Sequence, residues 1–242
     1  QKDMDTRAAV KDMIERKAAD KNAPDDADIQ QWIAESETGN DAAYQNLKRL
    51  ALEEQQILIS YFEARVPEAV QNVLESIFGK GNGYDIRGNV LPVPDGTVNL
   101  TPMDAYIAGK ALGTLFSQEG DTGAITGDQR WHTPVLRLAM ALGASSVGVN
   151  VDFSDEILGT GEHGLLSGEN PFGHKWMVQI SGSHGVPQKN GAKIKIDKNG
   201  NLEPLYGPTL ARLYSDAIAR NQFRTPGKIG TLKEISGLTE KL

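Results

Sequence analysis

Cysteine is absent from the 242 residues, which excludes disulfides and thiolate metal sites and leaves the redox compartment open. No Lys/Arg-rich block interrupts a net charge of −7, so nothing would draw the chain to a phosphate backbone, and nucleic acid is not expected as a partner. No apolar run approaches the roughly 20 residues needed to span a bilayer. The first residues are charged where a signal sequence would be apolar, so no membrane is expected and the cytoplasm is the expected compartment. There is no internal repeat. What remains is a composition that is 39% hydrophobic, enough for a sizeable core in one large or two smaller domains. The chain begins at Gln1 and ends on the polar Thr239-Glu240-Lys241-Leu242, and a piece of something longer is expected.

Residues 1–78 are rich in Ala, Gln, Glu and Lys and carry helical periodicity throughout. Tyr44, Leu47, Ala51, Leu58, Tyr61 and Phe62 recur at helical spacings, predicting one long amphipathic helix from about Asp41 to Ala64. Pro67 opens a further helix with a Val70, Val73, Leu74, Ile77 stripe, and Gly79 stands where a cap would. This region is expected to be a packing or oligomerisation surface, with a homodimer through Tyr44, Leu47, Ala51 and Leu58 as the specific expectation. Gly79-Lys80-Gly81-Asn82-Gly83 lacks the end of a P-loop and is expected to be a hinge.

From Gly79 the texture changes to glycines, prolines and β-branched residues. Thr101-Pro102-Met103-Asp104 is a helix start with threonine cap, proline and an acid three residues on. A strand at Ala124–Thr126, a helix from Thr133-Pro134 stopping at Gly143, and a strand at Ser146–Val151 make a βαβ unit, hence a mixed sheet packed between helices. Strands at Trp176–Ile180 and Ala192–Asp197, an Asn199-Gly200 turn and a helix over about Pro208 to Arg220 follow. The polar stretch 152–173 is expected to be loop. It holds Gly159-Thr160-Gly161-Glu162-His163-Gly164, which fits a dinucleotide pattern in letters but, read as a flexible loop, lacks the strand-to-helix context that pattern needs. Residues 221–242 are expected to be a linker towards a second domain.

Ser183, in Ser181-Gly182-Ser183-His184-Gly185, follows a buried strand and is the candidate nucleophile. It is not in a G-x-S-x-G elbow, although a triad assembled in space, and with it an α/β serine hydrolase, stays open. His163, His174 and His184 lack the regular spacing of a zinc site. A phosphoryl group at Ser183 Oγ would need backbone donors, cations and a divalent metal. Gly182 and Gly185 permit close backbone approach, Arg87 offers a planar cation, and Lys193 offers a charge or a general base.

Tyr84-Asp85-Ile86-Arg87-Gly88, the capped helix at Leu100-Thr101-Pro102, Gly127-Asp128-Gln129-Arg130, Ser181-Gly182-Ser183-His184 and Asn190-Gly191-Ala192-Lys193 occur in an order and spacing that resemble the first domain of the α-D-phosphohexomutases, over about Gly83 to Arg220. The resemblance implies a phosphomannomutase/phosphoglucomutase-type isomerase moving phosphate between O1 and O6 of a hexose through a bisphosphate. Ser183 would carry the phosphate and through it meet Mg²⁺, with Arg87 and Lys193 as flanking cations and His184 shaping the loop. Tyr84, Arg130 and Asn190 would bind substrate or phosphate. The aspartate-rich metal loop of the family has no counterpart here, so the main Mg²⁺ ligands are expected in further domains, and this chain alone is expected to be inactive. Gly185-Val186 stands where the family has Asn-Pro, leaving a non-catalytic sugar-phosphate-binding module on the same fold as an alternative. The implied partners are the hexose phosphate and those further domains.

Overall fold

A computed structural model describes residues 24–73, 86–91, 98, 100–183, 185–205 and 218–238. Four helices lead: α1 (Asp26–Glu37), α2 (Asp41–Glu53), α3 (Gln55–Glu63) and α4 (Val66–Val73). β1 (Ile86–Asn89), α5 (Pro102–Phe116), β2 (Thr122–Gly127), α6 (Thr133–Ser146), β3 (Asn150–Ile157), α7 (Thr160–Glu169), β4 (Trp176–Ile180), β5 (Lys189–Lys198), β6 (Asn201–Pro204) and β7 (Leu232–Glu234) follow. None of the described helices is long and apolar enough to cross a membrane.

The strands form one seven-stranded sheet in the order β1-β5-β4-β2-β3-β7, with β6 on β5. β2 runs parallel to β3 and β4, and β3 to β7, while β5 is antiparallel to β1, β4 and β6. This is the expected mixed sheet. Alternate residues of β4 point to opposite faces. Trp176, Val178 and Ile180 join the large core with α5 and α6, while Met177 joins Leu158, Leu166 and Leu202 beneath α7, giving an α/β/α sandwich. Asn199 and Gly200 make the β5–β6 turn with φ of 58° and 91°.

Thr101 caps α5 as its sequence predicts, its side chain accepting from Asp104 N while the Asp104 carboxylate accepts from Thr101 N. The helix expected over Asp41 to Ala64 is instead two, broken at Glu54 (φ −136°, ψ 46°). The break carries no glycine or proline. It lets Gln55 Nε2 donate to Ser145 Oγ (2.6 Å) and Gly230 O (3.2 Å), a tertiary anchor that a straight helix would forgo. α6 runs through Gly143 to Ser146; Gly143 is there for packing, since a β-carbon would collide with the Tyr106 carbonyl of α5. The following strand therefore starts at Asn150, after the Gly148 turn at φ 89°, and not at Ser146.

The stretch expected to be loop around Gly159 is α7. The Glu162 carboxylate accepts from Gly159 N at 2.6 Å and closes the N-terminus, while His163, Leu166 and Ser167 supply a buried face. Packing thus overrides glycines that each cost a helix about 1 kcal/mol. The strand-to-helix context of a dinucleotide loop is present after all, and there the Glu162 carboxylate takes up the Gly159 N–H at the helix N-terminus. The segment expected to be a linker also departs from expectation, because Leu232–Glu234 adds the parallel edge strand β7.

The leading helices share the large core. Tyr44 OH donates to Asp155 Oδ1 at 2.6 Å, Lys48 Nζ donates to Asp155 Oδ2 at 2.7 Å, and Arg137 Nη2 of α6 pairs with the same carboxylate. Tyr44, Leu47, Ala51 and Leu58 are no more than 5% exposed. They are buried within the chain and cannot form the homodimer surface expected of them. Gly79–Gly83, the end of the Pro67 helix and most of the Pro208–Arg220 helix lie outside the described residues.

Candidate active site

The C-terminal ends of parallel strands are where an α/β sheet exposes loops to a ligand. Three such ends meet here: Gly127–Arg130 after β2, Leu158–Gly159 after β3 and Ser181–Ser183 after β4. Backbone bonds tie them together, Asp128 N donating to Ile180 O (3.0 Å) and Leu158 N to Gly127 O (2.9 Å).

Ser183 sits at φ 51°, a left-handed conformation costing a non-glycine residue about 1–2 kcal/mol. Its neighbours hold it there. Ser183 N donates to Ser181 Oγ at 3.0 Å, Gly182 N to Asp128 Oδ2 at 3.1 Å, and Gly185 N to Gly182 O at 2.9 Å. Gly182 admits no β-carbon, which would collide with the Arg130 guanidinium.

Arg130 is the clamp of this loop. Nε donates to Asp128 Oδ2 (3.3 Å), Nη1 to the carbonyls of Val186 (2.8 Å) and Lys189 (3.1 Å), and Nη2 to those of Ser183 (3.3 Å) and Gly185 (2.8 Å). A guanidinium has five N–H donors, and all are used within the protein. Arg130, expected to bind phosphate, thus holds the loop together here. Asn190, also expected at the substrate or phosphate, is likewise engaged within the protein. Fully buried, it donates through Nδ2 to His132 Nδ1 (2.8 Å) and Thr133 Oγ1 (3.0 Å) and accepts from Gly191 N (2.9 Å). These partners assign the His132 proton to Nε2, which donates to Pro187 O at 3.1 Å; burial foremost pushes the His132 pKa down.

Arg87 of β1 reaches the serine. Its Nη2 donates to Ser183 Oγ at 3.0 Å and its Nη1 to Ser181 O at 2.5 Å. The register explains the meeting: Arg87 pairs with Gly191 on β5, and Gln179 of β4 pairs with Lys193, so Arg87 and Lys193 project from one face of the sheet. Lys193 Nζ donates to Thr160 Oγ1 on the first turn of α7 at 2.9 Å. Tyr84 and His184 lie outside the described residues. Asp128, which gathers Arg130 N, Arg130 Nε, Thr133 Oγ1 and Gly182 N, organises the loop and is not among the residues the sequence singles out. Its signal is the acid two residues before an arginine directly after a buried strand.

No group of three His, Asp or Glu able to hold a metal occurs among the described residues, and the Asp128 carboxylate is committed to four donors. The described side chains therefore do not themselves make a Mg²⁺ cage.

A serine in the left-handed conformation, on a glycine loop with an arginine at its hydroxyl, stands at the carboxyl ends of an α/β/α sheet, which is where this class of fold places its ligand loops. The family model for phosphoglucomutase/phosphomannomutase, alpha/beta/alpha domain I, matches residues 79–217, more than half of the chain. The chain belongs to the phosphoglucomutase/phosphomannomutase family. Among solved structures it resembles a phosphoglucomutase/phosphomannomutase family protein from Burkholderia thailandensis, with 24% identity and a TM-score of 0.55 over 69% of this chain and 34% of that one. A protein from Thermus thermophilus named as a phosphomannomutase is more distant, with 15% identity, a TM-score of 0.48 and coverage of 65% and 33%. The chain spans about a third of the length of these solved structures. No curated protein matches it.

Proposed function

We propose that Ser183 carries the phosphoryl group of a phosphohexomutase whose further domains complete the site. In the forward half-reaction the bond between phosphorus and Ser183 Oγ breaks as phosphorus bonds to a free hexose hydroxyl, O1 or O6. The hydroxyl proton passes to Lys193 Nζ in its neutral form, and Arg87 Nη2–H steadies the charge that develops on Oγ. The resulting bisphosphate returns its other phosphate to Ser183 with the roles reversed, so O1 and O6 exchange state. Mg²⁺ would meet the phosphate on Ser183 together with carboxylates from further domains.

The observation that carries this reading is the 3.0 Å bond from Arg87 Nη2 to Ser183 Oγ. A guanidinium cannot take a proton from serine, so Arg87 is suited to steady a charged oxygen and unsuited to be the base of a hydrolytic nucleophile. The Arg130 clamp supports the same reading, since it gives the Gly185-Val186 loop the order that Asn-Pro gives elsewhere in the family. In the complete enzyme, Ser183→Ala should abolish turnover; full activity in that variant would refute the assignment. This chain alone should turn over no hexose phosphate. A non-catalytic binding module would carry no phosphate, whereas a working mutase should show some protein about 80 Da heavier by intact mass.

A further inference from the structure

β5 carries a second lysine that the proposed role of Lys193 leaves unused. Lys195 projects from the same face two residues on, about 7 Å along the strand. On α7, Thr160, His163 and Ser167 form an i, i+3, i+7 stripe facing them. Lys193 Nζ donates to Thr160 Oγ1 at 2.9 Å, and Lys195 Nζ donates to Ser167 Oγ in a short bond. His163, 2% exposed, lies on the same stripe. Its Nδ1 is 3.1 Å from Thr126 Oγ1, and its Nε2 has no hydrogen-bond partner among the described residues.

Among the described residues, those that the strand register and α7 place around Lys195 are neutral or cationic. From α7 come Thr160, His163 and Ser167; from β4, Gln179 opposite Lys193 and Met177 opposite Lys195; from β6, Pro204 opposite Lys195; and from β1, Arg87 at the end of the row. The nearby carboxylates are engaged elsewhere: Glu162 accepts from Gly159 N, Asp197 pairs with Lys175, and Glu203 with Lys198. Among the described residues no carboxylate lies within ion-pair reach of Lys195.

We propose that Lys195 is a positioning residue for Lys193, a second ammonium fixed by Ser167 on the same face of β5 that favours release of the Lys193 proton. The inference rests on the reading in which Lys193 moves the hydroxyl proton, for which the amine must be reachable in neutral form. Burial first, and then the Lys193 charge, hold the Lys195 ammonium below its ordinary range. Coulomb repulsion is mutual, so Lys195 acts on Lys193 with the same energy. His163 cannot relieve it by titrating in its place. Burial first, then Lys195 and Lys193, depress its pKa to about 3, and it stays neutral.

The test is NMR titration of the lysine Nζ signals in the isotope-labelled 242-residue chain, for the parent, Lys195→Met and Lys195→Arg. The Lys193 midpoint should rise by about one pH unit in Lys195→Met and stay at the parent value in Lys195→Arg, which keeps the charge. Equal Lys193 midpoints in the parent and Lys195→Met would overturn the proposal. In the complete enzyme, Lys195→Met should move the ascending limb of the kcat–pH profile up by the same amount with KM unchanged; a drop in kcat with the limb unmoved would mean a structural role only. Lys193→Ala separates the two claims. Retained turnover there, with the NMR shift still present, removes Lys193 as the proton carrier, while a dead Lys193→Ala enzyme with no NMR shift removes only the coupling.

Discussion

Arg87 and Ser183 stand 96 positions apart in the chain, and Arg87 Nη2 lies 3.0 Å from Ser183 Oγ. β5 makes the connection, pairing with β1 on one side and with β4, the strand that delivers the serine, on the other.

Arg87→Lys should preserve the fold while losing the fork that grips Ser183 Oγ and Ser181 O together. A lysine can still neutralise charge but cannot hold both oxygens. We expect turnover of the complete enzyme to fall about 30- to 300-fold with a smaller change in KM, the loss of one charge-assisted bond felt mainly in the transition state. Parent-like kcat in this variant would show that the bond has no part in the chemistry.

Arg130→Met should damage the loop before it damages anything else. It strips the carbonyls of Ser183, Gly185, Val186 and Lys189 and the Asp128 carboxylate of their shared donor. The expected loss is about 2–4 kcal/mol in thermal unfolding. Amide exchange should accelerate first at Gly182 and Gly185.

Asp155→Asn tests the joint between the leading helices and the sheet. Arg137, whose side chain is 3% exposed, would keep its charge with no anion beside it, a loss of about 2–4 kcal/mol. Burial alone would raise the Asp155 pKa, but Arg137, Lys48 and Tyr44 outweigh it and hold the carboxyl below its ordinary range. Its contribution is present above the unfolded value and is lost as pH falls. Denaturant curves should therefore show the gap between parent and variant closing in acid.

Two further groups set opposite pH slopes. Burial first, then Asp104, raise the Glu37 pKa from 4.5 to about 7. The stability this gives is complete below pH 4.5 and is lost as pH rises through 7. His163, with its pKa lowered from 6.5 to about 3, favours folding above pH 6.5 and loses that contribution progressively down to pH 3. Between pH 4.5 and 6.5 the two slopes oppose each other. Glu37→Gln should remove one of them, gaining on the order of 2 kcal/mol relative to the parent at pH 8 and nothing in acid. Thermal melts across that range read the difference directly.

The parts of this fold written in local chemistry were legible beforehand. The Thr101–Asp104 capping box, the Asn199-Gly200 turn and the buried Trp176–Ile180 strand each declare themselves within a few residues. What depended on distant partners did not. The break at Glu54 answers to Ser145 and Gly230, and α7 is held by a sheet face below it despite its glycines. At the site, residue types pointed to Arg87 and Ser183 together. They could not reveal that Arg130 and Asn190 are spent on loop carbonyls and His132, because that depends on where a chain turn brings its own oxygens.

The row formed by Arg87, Lys193 and Lys195 depends on parity. A strand sends successive side chains to opposite sides, so one residue inserted between Gly191 and Lys193 would turn both ammonium groups into the oily layer where Ala192 now packs beside Ile180 and Met140. A change of length by a single residue in β5 would thus take both lysines out of the charge row while leaving each of them in the sequence.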